Sequence, residues 1–290
     1  MKVIENVAEL GSELAKYGSQ SVGFVPTMGA IHSGHLSLVE RARTECDVVV
    51  VSIFVNPTQF NDKSDLKNYP RQVAQDCELI ESVGADIVFV PTVEQIYPEP
   101  DTRVFDFGEI DKGMEGATRP GHFNGVAQVV SRLFDIVKPT KSYFGEKDFQ
   151  QVAVIFEMVK QLSLPVEIVV VPIVREADGV AMSSRNALLT AEHRAAAPDI
   201  YKALSWAQGA QGAQEAQKAQ RAQTEITPEQ MRAEVIKRIE QSGLLKVIYF
   251  EMVDARTLNP INSWEDSDNI QGCVALQAGA IRLIDNIKLK

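Results

Sequence analysis

The chain has 290 residues, 45% of them hydrophobic and 23% charged, with a formal net charge of −10. That length sits where single cores begin to divide, so one large domain with a smaller one is expected, and the acidic balance excludes nucleic-acid binding through a general basic face. No apolar run reaches membrane-spanning length, no export signal opens the sequence, and Cys46, Cys77 and Cys273 are too few and too scattered for a disulfide framework or a zinc site, so a cytoplasmic location is expected. Along the chain, β-branched runs at residues 22–25, 48–55, 85–90, 142–144 and 166–171 alternate with segments of helical apolar spacing that start at His35, Gln72, Gly125 and Phe149. This is the pattern of an α/β doubly wound parallel sheet, which binds ligands beyond the carboxyl ends of its strands. A first domain is expected over 1–175 and a second, α+β, over 176–290, joined near 174–178; the later strands are read at 247–253, 274–277 and 281–287. A triplet run rich in Ala and Gln, 207–223, drifts around a 3.6-residue helix and predicts a solvated insertion without chemistry or a lasting buried face.

Five segments carry candidate chemistry. In PTMGAIHSGH, a strand is followed by Pro26, Thr27 and Met28, and then by a helix start bearing His32, Gly34 and His35. Helix-start amides and two imidazoles favour a phosphate, and Gly34 has no Cβ to keep a nucleotide away. In AMSSRN, Met182, Ser183, Ser184 and Arg185 offer hydroxyl and guanidinium donors with no competing anion, suited to departing phosphates. In YFGEKDFQQ, Gly145 ends a strand, Asp148 can cap the next helix, and Lys147 beside that helix start makes an anion clamp. In FVNPTQF, Gln59 lies at the carboxyl edge of the sheet with Asn56 and Thr58. Neutral amides from Gln59 and Gln151 can hold a small acid without dulling its carboxylate as a nucleophile. Gln150 and Gln151 point about 100° apart on a helix, so only one of them is expected to serve the site. RPGHFNGV adds Arg119 and His122 before a further helix.

HxGH resembles the signature of nucleotidyltransferases that attack an α-phosphate and release pyrophosphate. The ordered set PTMGAIHSGH, FVNPTQF, RPGHFNGV, YFGEKDFQQ and VREADGVAMSSRN, with a return at IRLIDNI, resembles the pantothenate synthetase family. The resemblance implies a Rossmann-like first domain, a C-terminal lid, a homodimer, and use of ATP and Mg²⁺ to join pantoate to β-alanine through an acyl adenylate. It further implies that Pro26, Thr27 and Met28 line the site and that His32 and His35 bind ATP phosphates. Arg119, Gly145, Lys147, Asp148, Val174, Met182, Ser183, Ser184 and Arg185 would surround the nucleotide, Gln59 and Gln151 would hold pantoate, and Asp76 would place the metal. Another HxGH adenylyl- or cytidylyltransferase, and a nucleotide sensor without catalysis, are the competing readings.

Overall fold

A computed structural model describes residues 1–60, 66–67, 69–218 and 226–290. The chain forms two compact units. The first comprises Met1–Phe107, Arg119–Glu146 and Gln151–Val174, the second Gly108–Thr118, Lys147–Gln150 and Arg175–Lys290. Two short segments that the sequence reading leaves in the first domain therefore belong with the second. Among the described residues no helix is long and apolar enough to cross a membrane.

The first unit is built on a six-stranded sheet of β1 (Lys2–Ile4), β2 (Val22–Thr27), β3 (Val48–Ile53), β4 (Ile87–Phe89), β5 (Lys141–Gly145) and β6 (Glu167–Val171), in the order β1-β4-β3-β2-β5-β6. Every pairing is parallel. The VVVVSI run of β3 is buried at all its positions, because a central parallel strand is covered on both faces and so reads as continuous apolar sequence rather than as an alternation. Progression away from β2 runs through β3 and β4 on one side and through β5 and β6 on the other, so the winding reverses between β2 and β5. That reversal is where doubly wound sheets hold their ligands, outside the carboxyl ends of the strands. The loop after β2 carries Met28 to His32, and β5 ends on Gly145, where a Cβ would meet open space.

Helix His122–Val137 is buried along most of its length. It comes so close to the loop after β3 that a Cβ on Gly125 would lie 2.7 Å from the Thr58 carbonyl oxygen, which explains a glycine within a helix.

The second unit carries an antiparallel sheet of β7 (Leu245–Asp254), β8 (Ile270–Ala278) and β9 (Ile281–Lys288). Helices Pro198–Lys218 and Pro228–Glu240 share a core with it through Leu204, Met231, Val235, Phe250 and Leu276. Thr227 and Gln230 form a capping box that starts the second of these helices, with Pro228 in its first turn. The Ala/Gln run departs from the expectation of full solvation. Ala207 and Gln211 are 0% exposed and continue the stripe Ile200, Ala203, Leu204 at three- and four-residue spacing, so the upstream helix sets the phase and the small side chains fit under it. Residues 219–225 of the run and its flank lie outside the described residues.

Candidate active site

The loop after β2 is built by local chemistry. Thr27 donates its hydroxyl to Ser52 O at 2.7 Å and accepts from Gly29 N at 3.1 Å, tying the loop to β3. Gly29 (φ +80) and Ala30 (φ +51) are both left-handed, which turns the chain back toward the sheet end. His32 then caps helix Ser33–Glu45: its Nδ1 accepts from Gly34 N at 3.1 Å. A ring accepting on Nδ1 carries its proton on Nε2 when neutral. The His35 ring stacks on it at a centroid distance of 4.0 Å. The capping role and a ligand role for His32 are therefore compatible, since they use different ring nitrogens.

Around Gln59 the structure joins several residues named from sequence. Gln59 Nε2 donates to Met28 Sδ at 3.1 Å, and its Oε1 accepts from Asn56 Nδ2 at 3.2 Å. Asn56, 1% exposed, is the hub: Nδ2 also donates to Gly125 O, while Oδ1 accepts from Thr58 and from the Tyr97 hydroxyl at 3.0 Å. His122 Nδ1 lies 2.8 Å from Gln59 O and its Nε2 lies 3.2 Å from Arg119 Nη1. A carbonyl only accepts and a guanidinium only donates, so the ring is the neutral Nδ1–H tautomer, bridging Gln59 to Arg119. Burial pushes the Tyr97 phenol up from its usual range. Arg132, 5.5 Å over the Tyr97 ring, bonds Asp101, and the Arg103 guanidinium beside Asp101 holds that carboxyl well below the usual carboxylate range. Asn56 and His122 fix Gln59 from both sides; the sequence places them beside the site without revealing this work.

The second unit holds the other named group. Lys147 sits 3.8 Å from Asp148 Oδ2, and its carbonyl accepts from Asn286 Nδ2 at 2.9 Å. Asn286 is in turn oriented by Gln271 Nε2 at 2.7 Å, while neighbouring Asp285 is gripped by both Arg175 nitrogens at 2.7 and 3.0 Å. Gln150 is consumed structurally: its amide donates to Ile110 O and Gly113 O and accepts from Glu115 N. That leaves Gln151, half-buried in helix Phe149–Gln161, as the glutamine suited to a ligand. After Met182, Ser183 caps the short turn Ser184–Leu188 by accepting from Arg185 N at 3.2 Å. Asn186 pins this loop by donating to Glu176 and to Ala181 O. Pro26 and Thr27 lie in β2, and Val174 is the last residue of the first unit.

A metal at Asp76 is not supported by its surroundings. The side chain is 1% exposed, with both oxygens accepting backbone amides. Mg²⁺ needs near-octahedral access and usually keeps several waters, which this carboxylate does not offer.

A family model described as pantoate-beta-alanine ligase matches residues 2–288. The chain belongs to the pantoate-beta-alanine ligase family. The pantothenate synthetase of Phocaeicola vulgatus is 52% identical to it over 301 residues, covering 100% of both chains. The crystal structure of pantothenate synthetase from Thermus thermophilus superposes with a TM-score of 0.89 at 42% identity, over 100% of this chain and 99% of that one. Pantoate-beta-alanine ligase from Francisella tularensis, crystallised with beta-gamma ATP and beta-alanine, gives 0.79 at 35%, over 100% and 98%. As a pantoate-beta-alanine ligase family member the chain is an enzyme, and the α/β fold with a small antiparallel C-terminal sheet agrees with the expectation from sequence.

Proposed function

We propose that this chain condenses pantoate with β-alanine, using ATP, through a pantoyl adenylate. The observation that carries the reading is the stacked His32–His35 pair, at the end of the loop after β2 and in the first turn of helix Ser33–Glu45, beside the point where the sheet reverses its winding, in a chain matched to the ligase family over residues 2–288. The Francisella relative crystallised with an ATP species and β-alanine supports the choice of ligands.

In the first step a pantoate carboxylate oxygen attacks the α-phosphorus of ATP in line; the new O–P bond forms as the bond to pyrophosphate breaks. Gln59 and Gln151 hold pantoate by its hydroxyl and carboxylate oxygens without adding a cation that would blunt the nucleophile. His32 and His35 donate to the phosphates, and Lys147, Ser183, Ser184 and Arg185 offset the charge gathering on pyrophosphate. Pro26, Thr27, Met28, Gly34, Arg119, Gly145, Asp148, Val174 and Met182 complete the nucleotide's surroundings. In the second step the neutral amine of β-alanine attacks the acyl carbonyl. The carbon–oxygen bond to phosphate breaks, AMP leaves, and the amine proton passes to solvent. Positioning and exclusion of water supply most of the rate. Incubation with ATP, Mg²⁺, pantoate and β-alanine should yield AMP and pyrophosphate only when pantoate is present; ADP and phosphate, or turnover without pantoate, would overturn the reading.

A further inference from the structure

Asp76 occupies the first turn of helix Val73–Ser82, where the helix start favours a negative side chain. Its carboxylate is divided between two consecutive amides: Ala30 N donates to Oδ2 at 2.9 Å and Ile31 N to Oδ1 at 2.8 Å, with a longer bond of 3.4 Å from the Gln72 amide. These amides belong to a turn with a left-handed non-glycine residue. Gly29 and Ala30 are left-handed in succession, and Ala30 lacks glycine's freedom to be so. A Cβ on Gly29 would lie 3.0 Å from Asp76 Oδ2, so carboxylate and turn fit closely. One residue beyond Ile31 stands His32, the helix cap on which His35 stacks.

We propose that Asp76 is a positioning residue for the loop Met28 to His32 and not a metal ligand: it holds a strained turn so that His32 and His35 meet the triphosphate already in place. The inference rests on reading those two histidines as ATP-binding. A buried carboxylate behind an anion site is tolerable electrostatically only because its charge is satisfied by backbone donors, and charge-assisted bonds of this kind are the strong ones.

The test is ATP binding by calorimetry in EDTA, with no divalent metal. In Asp76→Asn one face of the amide still accepts, but the other presents N–H groups to a backbone N–H. Metal-free ATP should bind about tenfold to a hundredfold more weakly. Adding Ala30→Gly to that variant removes the left-handed penalty and should recover about twofold to fivefold. A metal ligand predicts the opposite sign, since removing a negative charge leaves uncomplexed ATP bound equally or more tightly, with no recovery from Ala30→Gly. Unchanged or tighter binding in Asp76→Asn therefore overturns the inference, whereas a wild-type protein that binds no ATP would overturn the reading on which it rests. Should Asp76→Asn fail to fold, the wild-type protein decides: Mg²⁺ without ATP should leave the amide NMR resonances of Ala30 and Ile31 unmoved, and a saturable shift of both would overturn the assignment.

Discussion

His35→Ala and Lys147→Ala should each lower pantoate-dependent exchange of pyrophosphate into ATP by at least about a hundredfold, the usual consequence of removing one group aimed at developing charge. Exchange isolates the first step, because it needs pantoate and ATP but no β-alanine. The geometry makes both variants informative. His32, not His35, caps helix Ser33–Glu45, so truncating His35 spares the cap. Lys147 is anchored through its backbone carbonyl by Asn286, so truncating the side chain leaves the loop's hydrogen bond intact. Circular dichroism and thermal midpoints close to wild type would confirm that the loss is chemical. Near-normal exchange in both variants would refute the roles assigned to them.

The second large effect separates the two adjacent glutamines. Gln59→Ala and Gln151→Ala should each reduce kcat/KM for pantoate by about tenfold to a hundredfold, as expected for losing a hydrogen bond to a charged ligand, with a much smaller change in the KM for ATP. Gln150→Ala should behave differently. Its amide satisfies two carbonyls and one N–H within the second unit, so its loss strands buried polar groups and should lower stability by about 1–3 kcal/mol while leaving the KM for pantoate nearly unchanged. A pantoate defect in Gln150→Ala with none in Gln151→Ala would reverse the assignment.

The reach of sequence in this molecule follows physical lines. Strands β2, β3, β5 and β6 are legible because a parallel sheet covered on both faces writes itself as short β-branched runs between helical periods. The strand β1 is not: Lys2–Ile4 is three residues long, too short for any periodicity, and its place in the sheet comes from pairing with distant β4. The Ala/Gln run misleads because its own period sets no helix phase, whereas the stripe that buries Ala207 and Gln211 starts at Ile200. HxGH is visible because its chemistry lies within four residues. The supports are not, since Asn56 reaches Gly125, His122 reaches Gln59, and Asn286 reaches Lys147 across separations that no local pattern records. The family resemblance points Asp76 toward a metal; only the structure places Ala30 N and Ile31 N on its two oxygens.

The most direct measurement uses pantoate labelled with ¹⁸O in both carboxylate oxygens, incubated with ATP, Mg²⁺, β-alanine and the protein. Attack on the α-phosphorus followed by amine attack on the acyl carbon predicts one ¹⁸O in each AMP formed and none in pyrophosphate. Label appearing in inorganic phosphate beside ADP, or unlabelled AMP, would contradict the adenylate route and with it the roles given to both phosphate-handling segments.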